Sequence, residues 1–200
     1  PLGCAFNIFK RADIRGEQTV AIVGIGFLGA LLTRLATDAG ARVIAISRRA
    51  YSLDVARQFG AAEVIAMDDH QRITEQVKEL TGGNLCERVI EAVGKQWPLD
   101  LATEITGERG KLIVAGYHQE GLRTVNMWLW NWRGIDVINA HERDPAVYID
   151  GIREAVDAVA SGRLDPSPLY THRYKLDELA QALDDTRDRP MGFLKAIVVP

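Results

Sequence analysis

The feature that most constrains the fold is the junction in TVAIVGIGFLGALLTRLA, where a β-branched apolar run leads through three glycines into a helical pattern. In such a strand–turn–helix, Gly24 permits the tight turn, Gly26 lets a pyrophosphate approach the backbone, and Gly29 lets helix and strand pack closely. The helix N-terminus then offers free N–H groups and a partial positive charge to the phosphates. We therefore expect a dinucleotide to bind at this turn.

Short apolar runs recur along the chain and alternate with segments of helical spacing. Uninterrupted β-branched runs are typical of strands that are buried on both faces. The alternation predicts an α/β fold, a Rossmann-type doubly wound parallel sheet of six strands, followed by a C-terminal helix and strand. The six runs are Thr19–Val23, Val43–Ile46, Val64–Ala66, Arg88–Ile90, Leu112–Ala115 and Ile135–Ile138.

The composition narrows the classes of ligand. Twenty-four basic against 27 acidic residues give a net charge of −3, and no basic block indicates binding to nucleic acid or to a membrane surface. No apolar run has the length needed to span a membrane. Cys4 and Cys86 form no CxxC pair, which favours a cytoplasmic protein. A small-molecule ligand is expected, and the start at Pro1 rather than Met suggests a piece of a longer protein.

The end of the second strand predicts which dinucleotide binds. An Asp or Glu at this position hydrogen-bonds the ribose hydroxyls of NAD, but here the residue is Ser47, followed by Arg48 and Arg49. A carboxylate would repel a 2′-phosphate, whereas a hydroxyl and two guanidinium groups can bind it. The pattern favours NADP(H). It leaves open which arginine makes the closer contact, and whether the pair is only a solvated turn.

Small residues follow two further strands, at Ala92-Val93-Gly94 and at Gly116-Tyr117, where they leave room for a cofactor against the backbone. His118 and His141 lie nearby, but we interpret both as structural or exposed, because the sequence shows no orienting partner for either. MWLWNWRG is either a helix or a strand, and its tryptophans favour packing in the core or at a subunit interface over lining a substrate entrance.

With the glycine turn, SRR, VIEAVG, KLIVAGY and GFLKAIVV, the chain resembles the medium-chain dehydrogenase/reductase family, the zinc-type alcohol and polyol dehydrogenases. The resemblance implies an NADP-binding domain with an N-terminal linker helix over residues 1–163. It implies that residues 164–200 pack on a preceding GroES-like catalytic domain, which has no counterpart in this sequence. In the full-length protein it implies hydride transfer between NADP(H) and an alcohol or carbonyl substrate; this chain alone would bind cofactor without turnover.

The same resemblance assigns site residues. It implies no catalytic residue and no metal ligand in this chain, with zinc held only by the absent domain; Cys4 has no neighbouring ligand at metal-binding spacing. Lys195 would reach the pyrophosphate only with the tail folded back. The cofactor-binding residues are Gly24, Gly26, Phe27, Leu28 and Gly29 at the pyrophosphate, Ser47, Arg48 and Arg49 at the adenosine phosphate, Ala92, Val93 and Gly94 on the adenosine side, and Gly116 and Tyr117 on the nicotinamide side.

The resemblance also implies a homodimer joined through the edge strand Ile135 to Asn139. Without its catalytic domain, the run Lys195 to Val199 would expose an apolar strand edge, so we expect a tail that is mobile, rearranged or paired between copies.

Rival functions are separated by single features. A short-chain reductase is excluded because no tyrosine is followed four residues later by lysine. A methyltransferase that binds S-adenosylmethionine is disfavoured by Ser47, where that class usually has an acid. A non-catalytic nucleotide-sensing module stays open, because a Rossmann sheet alone supplies neither a proton relay nor a substrate pocket.

Overall fold

The structure, a computed structural model, describes residues 1–200 and contains the predicted six-stranded parallel sheet. The strand order is β3-β2-β1-β4-β5-β6, with β1 hydrogen-bonded to β2 on one side and to β4 on the other. This order confirms the doubly wound α/β fold. The strands are β1 Thr19–Val23, β2 Arg42–Ser47, β3 Glu63–Ala66, β4 Cys86–Glu91, β5 Thr106–Val114 and β6 Asp136–Asn139.

Eight α-helices accompany the strands, and none is long and apolar enough to cross a bilayer. The central strands read as unbroken apolar runs because helices cover both faces of the sheet. Val20 to Val23 of β1 are fully buried, and so are Ile73 and Val77, which lie four residues apart on one face of a helix. The helices are α1 Leu2–Ala12, α2 Phe27–Asp38, α3 Ala50–Gln58, α4 His70–Leu80, α5 Gln96–Ile105, α6 Met127–Arg133, α7 Pro145–Ala160 and α8 Leu179–Asp188.

The segment MWLWNWRG is a helix, α6, so its tryptophans divide between two faces. Trp128 and Trp132, four residues apart, stack with ring centroids 6.0 Å apart and are 68% and 73% exposed. Trp130 packs against the core, where its indole N–H donates to the Thr103 hydroxyl at 3.2 Å.

The chain divides into two compact units, Pro1–Ala155 and Val156–Pro200. The second unit holds a two-stranded parallel sheet, in which β7, His172–Lys175, pairs with β8, Ala196–Val199. The tail strand therefore has a partner within its own chain, which the sequence did not indicate because β7 reads HRYK and has no apolar run. The predicted boundary between residues 163 and 164 stays a prediction, because it concerns the packing of residues 164–200 on a further domain.

One hydrogen bond inside the second unit raises the pKa of Tyr174. The Tyr174 hydroxyl donates to the carboxylate of Asp185, on α8, and this bond raises the pKa of Tyr174 to about 12. Several apolar side chains of this unit are buried, including Leu164, Leu169, Phe193 and Leu194.

Arg88 attaches α1 to the sheet. Its side chain, on β4 and only 8% exposed, donates to the carbonyl oxygens of Ala12 at 3.0 Å and Asp13 at 3.3 Å, at the C-terminus of α1. A cation at this position satisfies end carbonyls and interacts favourably with the helix dipole. Lys111 of β5 also donates a hydrogen bond to the Asp13 carboxylate at 3.1 Å. This bond has the largest effect among those that lower the pKa of Asp13.

We expect Arg88→Met to lower the free energy of unfolding by about 2 kcal/mol, because it removes hydrogen bonds from a buried charged donor. The measurement is urea denaturation followed by circular dichroism. Arg57→Met is the control, since Arg57 pairs with Asp54 on the exposed surface of α3, and such pairs contribute about 0.5 kcal/mol. Equal losses in the two variants would contradict this role for Arg88.

Candidate cofactor-binding site

The carboxyl ends of four neighbouring strands form the candidate site. The crossovers reverse direction at β1, which lies between β2 and β4. Ligands of open parallel sheets bind beyond the carboxyl ends of the strands at such a switch point. The residues that follow these strand ends are those proposed from the sequence: 24–29 after β1, 47–49 at β2, 92–94 after β4, and 116 and 117 after β5.

The three glycines of the turn differ in what surrounds them. Gly24 has a φ of +103°, and a Cβ there would lie 2.4 Å from Val93 Cγ2. At Gly29 a Cβ would lie 2.0 Å from the carbonyl oxygen of Gly24. At Gly26 a Cβ would meet nothing within 4 Å, and its φ of −100° is open to any residue. The fold therefore requires glycine at 24 and 29, but not at 26.

Gly26 faces open space at the start of α2. It is the N-cap residue of that helix, and no side chain caps the helix. The N–H groups of Leu28 and Gly29, in the first turn, have no intrahelical acceptor, as at every helix start. The structure thus leaves a cradle of backbone donors that a side chain at position 26 would enter, which fits a bound pyrophosphate.

Alanine substitutions separate the two kinds of glycine. We expect Gly29→Ala to lower the free energy of unfolding by about 3 kcal/mol, because its methyl group collides with the Gly24 carbonyl. Gly26→Ala should lower it by less than about 1 kcal/mol, the difference between these residues at an N-cap. Urea denaturation measures both values. A loss for Gly26→Ala as large as that for Gly29→Ala would show that position 26 is constrained by the fold.

Ser47, Arg48 and Arg49 lie together at the end of β2 but differ in environment. Ser47 is 5% exposed, and its carbonyl oxygen accepts the N–H of Met67 at 3.0 Å. Arg48 is exposed and forms no ion pair within the chain. Arg49 is half-buried and is the N-cap residue of α3. Arg48 is therefore the cation of this group that is most accessible to a ligand.

A cavity of about 550 Å³ lies beside the glycine turn. This volume is within the range that drug-sized ligands and cofactors occupy. Five of the residues proposed from the sequence line it: Leu28, Ala92, Val93, Gly116 and Tyr117. Gly24, Gly26, Phe27, Gly29, Gly94 and the three residues at the end of β2 lie outside its lining. The remaining lining residues are Pro1, Cys4, Asn7 and Ile8 at and before α1, Ala115 after β5, Ala140, His141 and Glu142 after β6, and Tyr148 on α7.

The cavity has a polar side that the sequence did not indicate. The Glu142 carboxylate accepts the N–H groups of Asp144 at 2.8 Å and Arg143 at 2.7 Å, and these bonds lower its pKa. The Cys4 thiol, 3.9 Å from the Tyr148 hydroxyl, raises the pKa of that phenol. No group of three or more His, Cys, Asp or Glu side chains is placed to hold a metal ion. Cys4 thus lines the cavity and belongs to no such group.

Both ring nitrogens of His118 are hydrogen-bonded inside the protein. Nε2 lies 3.0 Å from the carboxylate of Glu91, and Nδ1 lies 3.1 Å from Nε of Arg123. Neither partner was evident from the sequence, and the two hydrogen bonds agree with the interpretation of His118 as a structural residue. Because both ring nitrogens have partners within the protein, the geometry favours a structural role for His118.

His141 is also held by the backbone of the site. Its Nε2 lies 3.2 Å from the carbonyl oxygen of Gly116, and its ring packs edge-on against Tyr117 with centroids 5.4 Å apart. The contact places His141 at the cavity wall formed by the residues after β5. Its own sequence neighbours, NAHERD, gave no signal of this contact, because Gly116 is 25 residues away.

Comparison with known proteins decides the family. A family model described as zinc-binding dehydrogenase matches residues 28–159. The chain belongs to this family. It is 28% identical over 203 residues to an alcohol dehydrogenase of Cupriavidus necator, with 100% of this chain and 54% of the relative covered. It is 29% identical over 200 residues to the NADP-dependent isopropanol dehydrogenase of Thermoanaerobacter brockii, with 97% of this chain and 55% of the relative covered.

Solved structures share the fold of this zinc-binding dehydrogenase chain. The zinc dependent alcohol dehydrogenase 2 from Streptococcus pneumonia, in its apo form, superposes with a TM-score of 0.88 at 23% identity, covering 98% of this chain and 56% of that one. A putative zinc-binding dehydrogenase from Sinorhizobium meliloti 1021, bound to NADP, gives 0.84 at 24% identity, covering 100% and 57%. The chain spans about half the length of the curated relatives it matches. The family predicted by resemblance is confirmed.

Proposed function

We propose that this chain is the NADP(H)-binding part of an oxidoreductase that acts on an alcohol or carbonyl substrate. The observation that carries the proposal is the open space at Gly26 beside the uncapped N-terminus of α2, in a turn where Gly24 and Gly29 have no room for a side chain. The NADP dependence of the Thermoanaerobacter brockii relative and the NADP-bound state of the Sinorhizobium meliloti structure support this cofactor.

The chain's own groups bind the phosphates. The N–H groups of Leu28 and Gly29 donate to the pyrophosphate, and the helix dipole favours its negative charge. At the end of β2, the exposed guanidinium of Arg48 binds the 2′-phosphate, while Ser47 leaves the ribose position without a carboxylate. Arg49, adjacent at the N-cap of α3, adds a second positive charge.

The nicotinamide end occupies the cavity. Bound NADP(H) supplies the hydride of the reaction. Val93 and Gly116 line this cavity at the ends of β4 and β5, and Tyr117 also lines it, with 69% of its surface exposed. We therefore assign Val93, which the resemblance put on the adenosine side, to the same wall as Gly116 and Tyr117. The apolar part of this wall excludes water from the ring.

Substrate activation belongs to residues outside this chain. We infer from the family resemblance that a zinc ion belongs to a further domain; the chain itself has no cluster of three metal-ligating side chains. On this proposal the chain alone binds NADP(H) and turns over no alcohol. In the full-length protein a zinc ion held by that domain would polarise the oxygen of the substrate.

The residues at the end of β2 provide a test of cofactor choice. We expect Arg48→Ala/Arg49→Ala to weaken NADPH binding by about 10- to 100-fold, because charged hydrogen bonds to the 2′-phosphate are lost. NADH binding should change less than about twofold, since NADH lacks that phosphate. Ser47→Asp should reverse the preference in favour of NADH. Isothermal titration calorimetry measures the affinities of the unsubstituted chain and of both variants for NADPH and for NADH.

Arg57→Ala is the matched control for this test, because it removes an arginine from the outer surface of the adjacent helix α3. It should leave both affinities unchanged. If the double variant bound NADPH as tightly as the unsubstituted chain, the arginines would be a solvated turn and the assignment of NADP(H) would lose its basis.

We further propose that the chain forms a homodimer through the sheet edge at β6. This strand pairs only with β5, and Val137 on it is 38% exposed. The adjacent α6 carries the exposed stack of Trp128 and Trp132. An unpaired strand edge beside exposed aromatic surface fits a second copy of the same edge across a two-fold axis.

Val137→Lys should convert the dimer into a monomer, because a charge on an edge strand opposes strand pairing. Light scattering after size-exclusion chromatography measures the mass. Met191→Lys, at a residue 97% exposed in the second unit, is the control and should remain a dimer. A monomeric unsubstituted chain would contradict the proposal.

A further inference from the structure

The buried carboxylate of Glu91 organises the turn that follows β4. Glu91 is fully buried, and its Oε1 accepts the N–H groups of Val93 and Gly94, both at 2.8 Å. Its carbonyl oxygen accepts the N–H groups of Ala115 and Gly116, also at 2.8 Å. One residue therefore holds the backbone on both sides of the cavity wall.

Glu91 is linked to a third segment through His118. Because the guanidinium of Arg123 can only donate, Nδ1 of His118 accepts from Arg123 Nε at 3.1 Å. The ring proton is then on Nε2, which donates to Glu91 Oε2 at 3.0 Å. The side chains of His118 and Arg123 are each only 15% exposed. The result is an ordered chain of donors, from Arg123 through His118 to Glu91.

Arg123 closes this chain on the first turn. Its Nη2 donates to the carbonyl oxygen of Gly94 at 3.2 Å, and its Nη1 donates to the carbonyl oxygens of Glu120 and Leu122 at 3.1 and 3.3 Å. The loop after β5 is thereby tied to the turn after β4. These two segments carry Val93, Gly116 and Tyr117, the residues that line the cavity.

The packing at this wall leaves little room for adjustment. A Cβ on Gly94 would lie 2.5 Å from the carbonyl oxygen of Tyr117, and a Cβ on Gly116 would lie 2.2 Å from the amide nitrogen of Gly94. Because the two backbones are in such close contact, a shift of the loop after β5 moves both segments of the wall. The hydrogen bonds of His118 and Arg123 set the position of that loop.

We propose that His118 and Arg123 are positioning residues for the nicotinamide end of the cofactor, and that they act through Glu91. They touch no ligand; they hold the two segments that form the nicotinamide wall. This inference rests on the proposed function, since it requires that NADP(H) binds in the cavity. It predicts that losing either residue affects the nicotinamide end and spares the adenosine end, which binds at α2 and β2.

The test compares two probes, NADP⁺ and adenosine 2′,5′-bisphosphate, which keeps the 2′-phosphate and lacks the nicotinamide. Arg123→Met and His118→Leu should each weaken NADP⁺ binding by about tenfold. Both variants should bind the bisphosphate within about twofold of the unsubstituted chain. His118→Gln, which keeps a donor for Glu91, should recover part of the lost NADP⁺ affinity. Calorimetry measures the affinities, and urea denaturation identifies variants that are only less stable.

Lys95→Met is the matched control. Lys95 and Glu120 form an ion pair that joins the same two segments, but both side chains are 55% exposed. Exposed pairs contribute little, so this variant should bind both probes as the unsubstituted chain does.

Three results would overturn the inference: unchanged NADP⁺ affinity in a folded Arg123→Met variant, equal weakening of both probes, or the same loss in Lys95→Met. If the unsubstituted chain bound the bisphosphate but not NADP⁺, the cavity would not be the nicotinamide site. If it bound neither probe, the proposed function itself would be wrong and the inference with it.

Discussion

The close approach of α2 to β1 is the contact on which the rest of the site depends. The helix packs so tightly that Gly29 has no space for a side chain beside the Gly24 carbonyl. This contact aims the uncapped start of α2 across the carboxyl edge of the sheet, at the point where the crossovers reverse. The open space at Gly26 follows from it. A helix displaced by a side chain at position 29 would carry its backbone donors away from that space.

A second constraint acts at the neighbouring strands. The carboxylate of Glu91 is fully buried, and it stays hydrogen-bonded because two backbone N–H groups and an imidazole surround it. A buried carboxylate without partners would be strongly destabilising. The same bonds fix the turn after β4 and the loop after β5. The phosphate end of the site thus depends on glycine packing, and the cavity end depends on a buried polar network.

The sequence predicted the sheet well because its strands are buried on both faces. β1 runs over Thr19–Val23 as the apolar run indicated, and the other five predicted strands overlap their observed positions. β5 begins at Thr106, earlier than expected. The prediction missed this start because the first residues, TGERG, form no apolar run, and their pairing with β4 is irregular between Cys86 and Arg88. β7 was missed because only Tyr174 of its four residues is buried, so no apolar run marks it.

The candidate site was predictable only where it is local in sequence. The glycine turn and the end of β2 are each contiguous, so their spacing indicates their chemistry. The contact of His118 with Glu91 could not be inferred, because Glu91 lies 27 residues away in the sequence. Cys4 and Tyr148 meet across the cavity although 144 residues separate them. Such contacts arise from tertiary packing, which periodicity does not encode.

The most direct test of the account is the ¹⁵N–¹H spectrum of the chain during titration with NADPH. The account predicts that the amide signals of Phe27, Leu28 and Gly29 shift most strongly, together with those of Ser47 to Arg49, because the phosphates bind at the N-terminus of α2 and at the end of β2. If NADPH shifted other amide signals but not these six, or shifted none, the proposed binding of the phosphates would be contradicted.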